Sequence, residues 1–348
     1  MLNRRDLCTI LVGAMAGPAM AQSPRQPFYA STGPHLTHYD LDVAAARVTA
    51  RGTVTLPANV QYAWPDPARR FLYVAVSNNR PGDAAANRHC FAVFRIAPDG
   101  ALTPHGAVVP LRQRPVHASL DHSGRYLLAA YNLPSAVSVH VINADGSIGA
   151  EVIQQQTLDT GIYAHQIRAT PSDATVALVT RGNDPRPGSP EDPGALKIYR
   201  FQQGQLSNLQ SLAPGGDGIG FGPRHLDFTP DGRFAVVSLE RENSIGIWKL
   251  EPDGRLGAEP LFRKSALRDP DAKAKYPGQT AGPIHVHPGG RFIYQTNRGS
   301  GTIEQDGRRL SNGGENNVVV CALDPATGEP RLIQHAPAHG FELRTFAV

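Results

Sequence analysis

One pattern governs what this chain can fold into. A turn of four or five residues followed by an apolar strand recurs five times. The turns are Asp66-Pro-Ala-Arg-Arg, Asp121-His-Ser-Gly-Arg, Thr170-Pro-Ser-Asp-Ala, Thr229-Pro-Asp-Gly-Arg and His287-Pro-Gly-Gly-Arg, and they lead into FLYVAV, YLLAAY, TVALVT, FAVVSL and FIYQTN. Successive turns start 55, 49, 59 and 58 residues apart. Each repeat continues with another apolar strand: CFAVFRI, VSVHVI, LKIYRF, SIGIWKL and NVVVCAL. Turns such as Pro98-Asp99-Gly100 and Pro252-Asp253-Gly254 follow, and Asp-Gly accepts the positive φ that a hairpin turn needs. With a short strand before the first turn and a weaker one at the end, each repeat offers four antiparallel strands. Such units at a period of 40–60 residues are β-propeller blades. A single blade cannot bury both of its faces, so the ring behaves as one domain.

Residues 28–54 read as the tail of another repeat and residues 340–348 as the head of one more, whose turn would begin one residue past Val348. The expected fold is therefore all-β: a seven-bladed β-propeller of four-stranded antiparallel blades, with the last blades incomplete at the C-terminus. A six-bladed ring closed by head and tail is the alternative. Composition agrees. Gly and Pro make up 65 of 348 residues, which disfavours helical bundles, and 41% hydrophobic residues supply a core that disordered chains lack.

The N-terminus reads as an export signal. Arg4-Arg5 precedes the apolar stretch 7–21, which ends in Ala19-Met20-Ala21. The paired arginines suit a twin-arginine signal, with an ordinary secretory signal as the alternative. Residues 1–21 are thus expected to be removed, leaving 22–348 as a single exported, periplasmic domain. No other apolar run has the ~18 residues of a membrane span. Cys8 leaves with the signal, and Cys90 and Cys321 are expected as buried free thiols. The net charge of +4 comes from scattered arginines, only five of the 34 basic residues being lysine. No basic run marks a nucleic-acid surface. Scattered arginine suits recognition of a carboxylate or phosphate at a site.

The polar residues fall in register with the repeat. Five residues before the turn stand Gln61, Val116, His165, Arg224 and Gly282; eleven after its first residue stand Ser77, Asn132, Arg181, Glu240 and Arg298. In an antiparallel hairpin these two positions are neighbours at one end, and the innermost strand of a blade lines the central channel. His165 with Arg181, Arg224 with Glu240, and Arg298 therefore converge on one mouth. Three guanidiniums, a carboxylate and an imidazole make an anion-binding pocket capable of acid–base work. Surface charges or ion pairs between blades are the plainer reading of any one of them.

These segments carry a family likeness. The chain resembles the seven-bladed lactonases typified by propeller-type 6-phosphogluconolactonase, with the carboxy-muconate lactonising enzyme as a relative. The likeness runs from Phe28 to Val348 and is clearest in GPRHLDFTPDGRFAVVSLERENSIGIWKL, RPVHASLDHSGRYLLAAYN and RTFAV. It implies four catalytic residues: His165 in YAHQIRATP, Arg224 in GPRH, Glu240 in SLERENS and Arg298 in TNRGS. It implies no metal and no other cofactor. Opening a lactone needs an activated water, a polarised carbonyl and a protonated leaving oxygen. His165 or Glu240 can serve as base, and Arg224 and Arg298 can hold an anionic group or the oxyanion. The same tetrad in a muconate-type cycloisomerase would hold a dicarboxylate and move one proton, and a non-catalytic propeller would bind a partner across its face. Arg181, Asn132, His117, His225 and Asn297 are further substrate-binding candidates. His285 and His287 alternate along a strand but lack a third ligand in register. The expected partner is a small lactone, or a sugar acid bearing carboxylate or phosphate, met by a monomer with no nucleic acid or membrane involved. The Pro-rich segment 184–193 is an insertion near the mouth, and 268–280 reads as a charged solvated crossing between blades.

Overall fold

The computed structural model describes residues 26–79, 87–213 and 215–348. The export-signal reading of residues 1–21, with Cys8, lies outside the described residues. Nearly all regular structure is antiparallel sheet. The first sheet has three strands, Gln26–Thr32, His35–Asp42 and Arg47–Thr55. The second runs Asn59–Pro65, Phe71–Ser77, His89–Ile96 and Leu102–Pro104, with the short strand Val109–Pro110 also pairing on its third strand. The third, fourth, fifth and sixth sheets have four strands each, in consecutive order from the inner strands Pro115–Leu120, Ala164–Ala169, Pro223–Phe228 and Gln279–Val286. In the sixth, a hairpin of Thr302–Gln305 and Arg308–Ser311 is inserted between its second and third strands.

Four of the sheets are the expected four-stranded blades, while the first has three strands and the second carries a fifth, short one. Besides the inserted hairpin, the described residues form six sheets, one short of a seven-bladed ring. The last stretch, 338–348, carries no strand. It runs instead beside the sixth sheet, where Thr296 Oγ1 donates to the Leu343 carbonyl (3.3 Å) and Phe346 meets His285 edge-on at 4.7 Å.

The turn device works for a local reason. Its fourth residue is left-handed in every repeat: Arg69 (φ 54°), Gly124 (69°), Asp173 (54°), Gly232 (69°) and Gly290 (70°). That conformation suits Gly and is tolerated by Asp, so Arg69 is the strained member of the series. The first residue caps the turn with its side chain. Asp121 accepts from the Tyr126 amide at 2.8 Å and Asp66 from the Phe71 amide at 2.8 Å.

The second strand of each blade carries the strongest sequence signal because both of its faces are covered. Phe71–Ser77, Thr175–Thr180 and Phe234–Leu239 are buried throughout. Alternate residues serve opposite neighbours, as pleating requires. Leu127 and Ala129 pack toward the second sheet, while Leu128 and Ala130 pack toward the fourth. The outer strands Arg47–Thr55 and Pro330–Pro337 are largely exposed and correspondingly weak in pattern. Cys90 and Cys321 are buried and free. The segment 268–280 contains a single helical turn, Ala272–Lys275, whose Lys273 Nζ donates to the Arg241 carbonyl at 2.6 Å. Most of the segment is exposed, as a solvated crossing should be, and this contact tethers it at one point.

Candidate active site

The register position five residues before each turn has a structural identity: it is a β-bulge. The inner-strand ladders skip at Gln61, between Val60 and Tyr62, and again at Val116, His165 and Arg224; in the sixth sheet the skip takes in Gly282 and Pro283. A bulge inserts an unpaired residue, bends the strand and re-aims a side chain. Five bulges at one level around the channel therefore turn one residue per blade away from the ladder. In the fourth and fifth sheets these residues are His165 and Arg224, and both line a cavity of about 1060 Å³.

Behind them lies Glu240, only 2% exposed. Its carboxylate is the hub of a cationic cluster. Arg181 Nε and Arg298 Nη2 donate to its two oxygens, and Arg224 Nη1 stands 3.6 Å away. Arg298 also donates to the Ala281 carbonyl at 3.2 Å. Burial alone would oppose a charge on Glu240, but Arg224, Arg298 and Arg181 outweigh it and hold its carboxyl below the usual range. Burial brings Arg224 down to about 10; Glu240 opposes that, and Arg298, Arg344 and Arg181 add to it. It stays protonated at neutral pH. Arg181 behaves oppositely despite its burial, because it touches both Glu240 and Asp184 and so is raised. A further tier extends outward: Asp184 contacts Arg181 at 2.5 Å and Arg241 at 3.2 Å, and Glu191 contacts Arg241 at 2.8 Å. The Pro-rich insertion is thus a clamp on the cluster.

His165 presents a different chemistry. Burial first, then Arg224, His225, Arg181 and Arg298, push its pKa well below the ordinary imidazole value. It is neutral at pH 7. Its Nδ1, the Nδ1 of His225 and the Nε of Arg224 are buried without hydrogen-bond partners among the described residues. The His165 and His225 rings meet edge-on at 5.0 Å. Buried polar atoms left unserved by the protein call for another partner, which water or a ligand can supply.

The remaining candidates divide. Asn132 and His225 line the cavity. His117 is fully buried below it, its ring 4.1 Å from that of Tyr62. Asn297 is not brought to the site. It is fully buried, donating to the Ala266 carbonyl at 2.6 Å and to Asn317 at 3.2 Å, and so ties strands together. Arg181, Glu240 and Arg298 converge as the register expected, but they stand behind the cavity wall. His285 and His287 part company. His285 Nδ1 faces Asp227 at 3.7 Å, whereas His287 caps its own turn through the Gly289 amide at 2.9 Å. Three residues farther along the inner strands a second belt crosses the channel: Arg168 pairs with Asp227 at 3.1 Å and stacks on Trp64 at 4.7 Å. Sequence reasoning missed Arg114, Tyr163 and Arg168, all in the cavity wall. Arg114 lies two residues before a register position and Arg168 three after one, and a search of the flanks of each bulge finds both.

Antiparallel blades around an arginine-rich channel, with a neutral imidazole in the wall of its cavity, define a β-propeller. Within that class the chain belongs to the seven-bladed β-propeller lactonase family, whose model matches residues 26–348. It is 30% identical to a 6-phosphogluconolactonase of Pectobacterium carotovorum over 274 residues, 77% of this chain and 74% of that one. A Yersinia pestis 6-phosphogluconolactonase is 29% identical over 276 residues, 77% of this chain and 73% of that one. Among solved structures, a periplasmic gluconolactonase of Pseudomonas aeruginosa superimposes with a TM-score of 0.68 at 25% identity, covering 93% of this chain and 85% of that one.

Proposed function

We propose that this protein hydrolyses a sugar lactone, with His165 as general base and Arg224 as the carbonyl-polarising group. The observation that carries the assignment is the division of labour between cavity wall and support. His165 and Arg224 face the cavity, while the carboxylate of Glu240 is fully engaged by guanidiniums. A carboxylate committed to two arginines and held ionised is a poor proton acceptor and a good positioning group.

The steps follow from those roles. A water hydrogen-bonded to a nitrogen of neutral His165 attacks the lactone carbonyl and gives up a proton to the imidazole. Arg224 donates to the carbonyl oxygen and stabilises the oxyanion of the tetrahedral intermediate. The intermediate collapses, the ring C–O bond breaks, and the imidazolium returns the proton to the leaving alkoxide. One water is consumed and the hydroxy acid leaves as its carboxylate, releasing a proton to solvent. Because His165 is depressed, it is regenerated as free base at neutral pH.

The family and the named relatives support lactone chemistry, and the arginines favour an acidic product over a neutral one. Export of the chain is part of the same reading, supported by the N-terminal pattern and by the similar Pseudomonas gluconolactonase being periplasmic. The test is proton release at constant pH from δ-gluconolactone and 6-phosphogluconolactone, above spontaneous hydrolysis. His165→Ala and Arg224→Met are run beside the wild type. Catalysed release by the wild type that both substitutions abolish supports the assignment. Release unaffected by His165→Ala removes His165 as base. No release from either lactone by a folded chain rejects both substrates.

A further inference from the structure

The mechanism above occupies His165 and Arg224 and leaves the far end of the substrate unassigned. Arg114 stands directly before the inner strand Pro115–Leu120 of the third sheet, half-buried in the cavity wall. Its Nε donates to Gln61 Oε1 at 2.9 Å, and Gln61 is itself held by donating to the Asn59 carbonyl at 3.2 Å. Gln61 is the bulge residue of the second sheet, so the bulge that aims catalytic groups elsewhere here aims a clasp. The clasp is neutral: it orients the guanidinium without offsetting its charge.

Arg114 differs in this from its neighbours. Arg181, Arg224 and Arg298 share Glu240, Arg168 has Asp227 and Arg344 has Glu342. Among the described residues no carboxylate pairs with Arg114. Burial lowers its pKa, Tyr163 opposes the fall, and Arg344 adds to it. A half-buried guanidinium facing a cavity, oriented and unneutralised, costs free energy that a ligand anion recovers. The planar fork suits the paired oxygens of a phosphate or carboxylate.

We propose that Arg114 is a specificity residue that binds an anionic group, phosphate or carboxylate, on the substrate at the end remote from the lactone carbonyl. The proposal rests on the lactonase reading for its substrate, but binding can test it without turnover. The full-length chain is titrated calorimetrically with gluconate, 6-phosphogluconate and glucarate, three open-chain acids that differ only at the remote carbon. The expected result is at least tenfold tighter binding of 6-phosphogluconate or of glucarate than of gluconate. Which of the two shows it separates phosphate from carboxylate recognition. Arg114→Gln is expected to erase the difference and Arg114→Lys to restore part of it, since the charge returns without the fork. Gln61→Leu, which removes the clasp but keeps the charge, should weaken the preference several-fold and decides the matter if Arg114→Gln fails to fold. Equal binding of all three acids by the wild type, no binding of any, or a preference that survives Arg114→Gln overturns the proposal. Selective anion binding by a wild type that hydrolyses no lactone would sink the hydrolase reading and leave Arg114 standing; hydrolysis without anion selectivity would do the reverse.

Discussion

Glu240→Gln is the substitution from which the site should suffer most in stability. Glutamine keeps the shape of the side chain and removes only the charge. The carboxylate is 2% exposed, accepts from Arg181 and Arg298, and lies 3.6 Å from Arg224. Without it three guanidiniums face one another, with Asp184 on Arg181 the remaining anion in contact. Removing one partner of a buried ion pair costs about 3–5 kcal/mol, because the other charges stay desolvated. Unfolding entropy of about 2.1 cal/mol/K per residue gives about 0.7 kcal/mol/K for roughly 320 residues, so Tm should fall by about 4–7 °C. Thermal unfolding followed by circular dichroism at pH 7.5 and low salt reads this directly. Sulfate at tens of millimolar should return part of the loss in Glu240→Gln by lending the cluster an anion, and should do less for the wild type. A Tm within about 1 °C of the wild type, with no sulfate effect, would refute the view that Glu240 is the charged hub of the cluster.

Further outcomes are expected. His165→Ala should lower turnover by about 10²–10⁴-fold with Tm unchanged or raised, since an imidazole with an unserved buried Nδ1 contributes chemistry and not stability; parallel kinetics and melting curves check both halves. Acid should destabilise the fold from about pH 6.5 downward. Burial first holds His117, His165 and His225 well below their unfolded value, so the unfolded chain binds more protons and stability falls with falling pH by up to about 1.4 kcal/mol per unit for each imidazole. Glu240 acts in the same direction at lower pH, its contribution being present above the unfolded carboxyl value and lost through its depressed folded one. Urea midpoints between pH 7.5 and 4.5 test the slope, and a flat profile would contradict it. Gly182→Ala should cost about 1–3 kcal/mol and loosen the insertion. Gly182 is left-handed at φ 69° and its added Cβ would lie 2.2 Å from the Asp192 carbonyl oxygen. Limited proteolysis within 184–193 should then accelerate.

Much of this was legible in one dimension. The five turns announced themselves through an Asp, Thr or His that starts the turn and, in all but the first, a fourth residue that suits positive φ. The second strands announced themselves because burial on both faces leaves unbroken apolar runs. Repeat register even selected His165, Arg224, Glu240, Arg181 and Arg298, because equivalent strand ends in a ring must meet around its axis. What register could not show is the bulge. A bulge is a mismatch between two paired strands, and neither strand's sequence records it alone.

That mismatch separates what the sequence determined from what the tertiary structure decided. Residue type and period set the blades, the order of strands and the convergence of polar residues on one mouth. Which side of the wall each polar residue faces was decided by packing. Asn297, one residue from Arg298 in the chain, is buried between strands because alternate residues of a pleated strand point opposite ways. Glu240 and Arg224, sixteen positions apart in the sequence, meet at 3.6 Å, yet one lies behind the cavity and the other in it. Arg114 and Gln61 are 53 residues apart and join only because the second and third blades pack side by side. Charge and spacing specify which groups can meet; the fold alone sets which of them are left facing the cavity without a partner.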